Sequence, residues 1–330
     1  MSYFMNTTTE KIQFRRIRDF GETIGVTTQF IYQNFKPLVT SIAYIALPFI
    51  LLGSLTSSIA SSQIYSGLKN IDSSGSINPI MNGYGLFGIS YSFILIGIML
   101  LYPTINEYVY LYATRSDYDQ ITPTDVRKRV FGNISTYITT FFAVSMAFLV
   151  SYFAIIIGAI LIVALGASVA GELAWIFALV ALIGFGIFFV YLLIALSFSF
   201  IIRIIEKIGI MDTLSRCFTL LKGYGFVTFL LYFVTFCICT SVSGVAYLLS
   251  GVVMYLVDDL NIAFLGILVV LLGIFSGLAQ VITATITSLV SIFRYFSLVE
   301  LKEANGFMQR IEEIGKNYEN RYANNTQTEN

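Results

Sequence analysis

The chain has 330 residues, 57% hydrophobic and 12% charged, with a mean hydropathy of +0.81 and as many acidic as basic side chains. Soluble domains carry about 25% charged residues, so this composition excludes an ordinary water-soluble fold, and the zero net charge argues against nucleic-acid binding. With no histidine and only three cysteines, Cys217, Cys237 and Cys239, the familiar zinc sites and the Ser-His-Asp and Cys-His systems are excluded too.

Residues 1–36 are polar and contain no signal-peptide core, so the first apolar run is expected to serve as an uncleaved membrane signal. Six charge-free runs follow, at 37–68, 73–106, 130–171, 173–202, 223–257 and 260–293. Each exceeds the roughly 20 residues needed to cross a bilayer core. They predict an all-α integral membrane fold, with spans near 38–61, 84–112, 134–164, 173–202, 224–250 and 262–300. A six-helix membrane domain over 37–300 would thus lie between an N-terminal segment, 1–36, and a tail, 301–330, whose last residues from Tyr322 have nothing to bury and are expected to be disordered. Pro48 and Pro103 are the expected kinks, because a mid-helix proline removes a donor and crowds the preceding turn. Ser73-Ser74-Gly75-Ser76 and Asn78-Pro79 predict a loop over 61–83.

The loops set the orientation. Every Lys and Arg except Lys69 lies before the first run, between the second and third, between the fourth and fifth, or after the sixth; the alternate gaps hold Lys69 with Asp72, Glu172, Asp258 and Asp259. Positive charge stays on the cytoplasmic face, so both termini are expected to be cytoplasmic in a multi-pass protein of a bacterial inner membrane.

Each odd-numbered span follows a short stretch of helical apolar spacing. Phe20, Ile24, Thr27, Ile31 and Phe35 share one side of the first, Val126, Val130, Ile134 and Tyr137 of the second, and Met211, Leu214, Phe218 and Leu221 of the third. Such stretches are expected to be in-plane amphipathic helices, with Arg127, Lys128, Arg129, Arg216 and Lys222 on anionic lipid headgroups. Thr122-Pro123-Thr124-Asp125 is a helix start, with a capping hydroxyl, a proline in the first turn and an acid at the positive dipole end; Glu22 and Asp212 hold the matching acidic places. Three units follow, each an amphipathic helix and a two-span hairpin.

With Arg18-Asp19-Phe20-Gly21-Glu22, Thr124-Asp125-Val126 and Met211-Asp212-Thr213-Leu214 opening those helices, the chain resembles bacterial membrane proteins related to the membrane domain of glycerophosphoryl diester phosphodiesterase. The stretch Tyr295-Phe296-Ser297-Leu298-Val299-Glu300-Leu301-Lys302-Glu303, with Gly306-Phe307-Met308 and Ile311-Glu312-Glu313-Ile314-Gly315, is similar to the end of uncharacterised members of that group. In proteins named for the phosphodiesterase a separate soluble barrel carries catalysis, and that barrel is absent from this sequence, so the resemblance implies a fold and no activity.

No phosphate-cradling glycine loop or dinucleotide fingerprint occurs, and the acidic pairs Asp258-Asp259 and Glu312-Glu313 point about 100° apart on a helix, which unsuits them to one substrate. Ionisable groups inside a membrane mark ion routes, and Glu107, beside Asn106, is the one candidate, with pairing to a loop arginine as the structural alternative. Gln280 and Thr283 begin a polar stripe in the sixth span, explained either by interhelical hydrogen bonds or by a pore. Gly273-x-x-x-Gly277 suits close helix packing, and the many aromatic residues suit interfacial anchoring. The expected protein is therefore non-enzymatic, needs no cofactor or metal, and scaffolds or organises the membrane or a membrane complex. Its alternatives are a transporter or channel for a small or lipid-like solute and, more remotely, an intramembrane lipid enzyme using Glu107.

Overall fold

The computed structural model describes residues 11–69, 76–115, 120–170, 174–260 and 263–328. Ten α-helices and no β-strand occur among them. α1 (Phe20–Ile45) leads into α2 (Leu47–Lys69), α3 (Asn78–Thr114) and the short α4 (Pro123–Gly132). α5 (Ile134–Ala170), α6 (Ala174–Leu196), α7 (Ser199–Ile205) and α8 (Ile210–Leu221) follow, and α9 (Gly225–Leu260) and α10 (Ala263–Thr328) close the chain. Asp72, Glu172 and the serine-rich stretch 70–75 lie outside the described residues, as do the side chains of Asp258, Asp259, Glu312, Glu313 and those of the tail from residue 305, where the expected disordered end falls; the α10 backbone is helical to Thr328.

Five segments are long and apolar enough to cross a membrane: Leu47–Lys69, Asn78–Thr114, Ile134–Ile162, Leu179–Ile205 and Ile267–Ala304. A sixth is reached only when α8 and the start of α9, joined at a 95° bend, are taken as one broken span. Their outward faces carry large apolar side chains that water would not tolerate at this density, such as Leu182, Ile187, Phe236 and Leu248, each more than 60% exposed. Hydrocarbon is the solvent that suits such a surface, and the protein is an all-α membrane-spanning chain.

Small residues hold the first hairpin. Gly53, Ala60 and Gly67 on α2 recur every seven residues and are buried against Gly83, Ser90 and Gly97 on α3, which do the same. A Cβ added at Gly97 would lie 3.1 Å from the Ile50 backbone nitrogen, and one at Gly53 would lie 3.0 Å from that of Ile94, so the two backbones nearly touch. Ser90 Oγ uses that closeness to donate to the Gly53 carbonyl at 2.7 Å. The same closeness shortens the expected loop at 61–83: α2 runs to Lys69 and α3 starts at Asn78, with Gly67 packed on Ile80. Gly273 and Gly277 of α10 meet Ser58 and Ser54 of α2, so this glycine pair serves packing within the chain.

The kinks fall beside prolines, though not all where expected. Pro48 sits at the second position of α2, just after the break at Ala46. Pro103 lies inside α3, which continues unbroken, with Thr104 Oγ1 donating to the Leu100 carbonyl at 2.7 Å. The sharper departure is at Asn34 (φ −109°, ψ 16°), one turn before Pro37, whose ring denies the preceding turn a donor. Asn34 Nδ2 donates to the Phe30 carbonyl at 3.1 Å instead.

Candidate functional site

The described ends of the four basic stretches meet at one end of the bundle. Lys11 Nζ donates to the α3 terminal carbonyls of Ala113 (3.2 Å) and Arg115 (2.8 Å), serving as a C-cap from a distant part of the chain. Arg15 and Arg216 both approach the Glu303 carboxylate, at 4.0 and 3.9 Å, and Lys302 Nζ donates to the Lys222 carbonyl at 3.1 Å. The Arg18 backbone nitrogen donates to Ser297 Oγ at 3.0 Å, while its guanidinium donates to the carbonyls of Phe14 and Gln13. Phe14 fills the middle, its ring stacked on Phe293 at 5.2 Å and edge-on to Phe30 and Tyr112. The aromatic residues Phe30, Tyr108, Tyr112 and Phe293 are fully buried here, serving the packed end of the bundle.

Two adjacent residues of α3 fasten the first two elbows. Tyr108 donates its hydroxyl to Asn34 Oδ1 at 3.0 Å, and Glu107 receives Arg129 Nε at 2.7 Å and Asn133 Nδ2 at 2.6 Å, with Tyr137 OH at 3.4 Å. Asn133 caps α4 at φ −105° and ψ 9°, nearly the conformation of Asn34, so both elbows bend at an asparagine in the sparsely allowed bridge region. Glu107 has no exposed side-chain surface, Arg129 about a third, and the guanidinium also lies over the Tyr110 ring at 4.2 Å. Both oxygens of this carboxylate are thus occupied by donors from the second elbow.

A second carboxylate closes the third elbow. Glu206 accepts from Arg216 Nε at 3.2 Å and from Tyr295 OH at 2.9 Å, tying α7 and α8 to α10. The chain then turns through Gly223, whose φ of +89° is the left-handed region that glycine enters without penalty. The starts of α1 and α4 are capping boxes, Asp19 with Glu22 and Thr122 with Asp125, whereas Asp212 sits in the first turn of α8 behind Gly209 without a side-chain cap bond. The Thr122 hydroxyl, ahead of Arg115, holds the Asp125 carboxyl below the usual aspartate range.

The residues singled out in the sequence divide between roles. Arg129 and Arg216 face carboxylates, whereas Arg127, Lys128 and Lys222 are exposed. Arg127 Nη1 donates to Tyr44 OH at 3.1 Å and its guanidinium lies over the Tyr44 and Phe131 rings. Asn106 is buried and donates to the Tyr102 carbonyl at 2.8 Å. Gln280 and Thr283 are half-buried on α10, and the Thr283 carbonyl lies 4.0 Å from Cys239 Sγ. Cys217 and Cys239 are buried and Cys237 is exposed on the apolar face.

Two cavities share walls from α3, α5 and α7 at successive depths. The first, about 500 Å³, is open at the charged end and lined by Tyr110, Arg129, Asn133, Thr136, Arg203 and Lys207. The second, about 300 Å³, is largely apolar, lined by Tyr102, Asn106, Phe141, Phe148, Phe200 and Ser291. From Tyr110 to Asn106 is one turn of α3, so the apolar cavity begins about 6 Å further from the charged end. Phe200 stands at the join, stacked on Tyr102 at 5.9 Å and on Tyr137 at 6.3 Å. Gln280 and Thr283 line neither cavity. Arg203 and Lys207 were missed as site residues in the sequence because their spacing there is that of an ordinary basic loop.

Fold and site together define a helical membrane-spanning protein with a cross-linked polar end. Comparison of the chain with family models, with curated proteins and with solved structures finds no match in any of the three.

Proposed function

We propose that this chain is a non-enzymatic protein of a bacterial cytoplasmic membrane, with both termini cytoplasmic, that scaffolds or locally organises the membrane or a membrane complex. The observation that carries this reading is the fastening of Glu107 and Glu206: each is bonded to an arginine and to a further donor, and these bonds fix the second and third elbows as Tyr108 and Asn34 fix the first. Acids committed in this way act as structural clamps. α1, α4 and α8 are the in-plane helices of the three units, and Arg127, Lys128 and Lys222, exposed beside them, meet anionic headgroups. The resemblance to the phosphodiesterase membrane domain is consistent with such a role, since it extends to the membrane part alone.

A transporter or channel is the second reading, favoured by the cavity at Asn106 between α3, α5, α7 and α10. The two separate by water access. In a cysteine-free background, single cysteines at positions 106, 280 and 283 are treated in sealed vesicles with a membrane-impermeant thiol reagent. The scaffold expects all three to stay unmodified; modification of any of them from either side would establish a water path and favour the transporter.

A further inference from the structure

Arg203 is a cation with an unmet requirement. Its Nη1 is buried and has no hydrogen-bond partner, although a guanidinium nitrogen withdrawn from water normally finds one. It opens onto the polar cavity with Lys207 and Arg129. Arg129 is balanced by Glu107 behind it, but no carboxylate lines the cavity among the described residues, which leaves two positive charges uncompensated. Lys207 is held there by a backbone at φ +53°, a left-handed conformation that an L-residue adopts only at a cost. Tyr110, Asn133 and Thr136 add polar groups on the opposite walls.

We propose that this cavity binds a phosphate group, and that the group belongs to an anionic phospholipid whose acyl chain enters the apolar cavity next to it. A planar guanidinium matches two phosphate oxygens at once, and an ammonium adds a point charge, so an arginine and a lysine facing one cavity suit a phosphate better than a carboxylate. A volume of about 500 Å³ exceeds what a bare phosphate needs and accommodates one carrying a glycerol-like substituent. The lipid source follows from the stacking of the cavities: the wall turns from Arg203 and Thr136 to Phe200 and Phe141 within about one and a half helical turns, as polarity does along a phospholipid. This site rests on the membrane-spanning reading and is independent of whether the protein scaffolds.

The test uses the full chain, purified and stripped of lipid, with phosphatidic acid, phosphatidylglycerol or phosphatidylcholine added back and bound lipid counted by native mass spectrometry. Wild type is expected to retain the two anionic lipids, and Arg203→Gln combined with Lys207→Gln to weaken that binding by at least roughly tenfold. Lys36→Gln, which removes an exposed cation outside both cavities, is expected to change it less than about twofold. Ser145→Phe, which narrows only the apolar cavity, weakens lipid binding and leaves inorganic phosphate binding intact if the lipid is the source. Competition by millimolar inorganic phosphate with no effect of Ser145→Phe would keep the phosphate site and reassign its ligand to a soluble phosphate ester, overturning the lipid half. Wild-type lipid retention in the double variant, or an equal loss in Lys36→Gln, overturns the site. Because Nη1 has no partner, the lipid-free double variant is expected to melt no lower than wild type; a lowered melting temperature would make these cations structural and also overturn the site. Thiol modification at position 280 would sink the scaffold alone and leave this site standing.

Discussion

At the residue scale, Glu107 is the side chain whose surroundings decide its role. Its two oxygens receive different donors, Arg129 Nε on one and Asn133 Nδ2 on the other. Glu107→Ala leaves a part-buried guanidinium without its counter-ion and is expected to cost about 3 kcal/mol, read as a lowered melting temperature in detergent. Glu107→Gln offers one acceptor and turns an NH2 toward a neighbouring donor, so about half that loss is expected rather than recovery. Full stability in Glu107→Gln would show the charge to be dispensable. Asn106, its neighbour in sequence, points to a different wall and satisfies itself on the Tyr102 carbonyl, so two adjacent polar residues serve unrelated purposes.

At the scale of elements, the hairpin of α2 and α3 depends on what its glycines lack. Gly97→Leu drives a side chain into Ile50 and its backbone and is expected to destabilise by about 2–3 kcal/mol; pairing it with Ile50→Ala restores only part, because the backbone nitrogen at 3.1 Å stays. Thermal unfolding of the single and double variants checks this, and complete rescue would mean that the side chain alone sets the spacing. The elbow before α9 depends on conformation instead of space. A Cβ at Gly223 meets nothing within 4 Å, yet φ is +89°, so Gly223→Ala is expected to cost about 1–2 kcal/mol through backbone strain. An unchanged melting temperature would show that the elbow relaxes.

At the scale of the molecule, the segment 11–19 acts as a strap over the charged end. It touches α3 through Lys11, α10 through Arg15 and Arg18, and the aromatic centre through Phe14. Phe14→Ala empties a pocket among four rings and is expected to cost about 3 kcal/mol and to speed protease cleavage ahead of Phe20. Cleavage at the wild-type rate would mean that the strap is held by its polar bonds alone.

Much of this was legible in the chain. Long charge-free runs must become helices in a bilayer, where every backbone group has to be paired within the segment, so the helical class follows from local hydropathy; of the six spans expected, five are unbroken, a sixth needs the bent pair at Gly223, and the first is displaced from 38–61 to Leu47–Lys69. The start of α4 was legible as well, since Thr122 and Asp125 cap within four residues, and Glu22 marked that of α1, whereas Asp212 makes no cap bond at the start of α8. Which face of a helix turns inward was not, because lipid is as apolar as a protein core and hydrophobicity no longer distinguishes the two. α1 buries Thr23, Thr27, Phe30 and Asn34 and exposes Phe35, so of the stripe expected from Phe20, Ile24, Thr27, Ile31 and Phe35 only Thr27 is buried. The seven-residue repeat of small residues on α2 and α3 was the available signal for an inward face there. The pairings of Tyr108 with Asn34, of Arg18 with Ser297 and of Arg203 and Lys207 with one cavity join residues far apart in the chain. Only the packed bundle decides these, because such contacts exist once helices are set side by side and leave no periodic mark on the sequence.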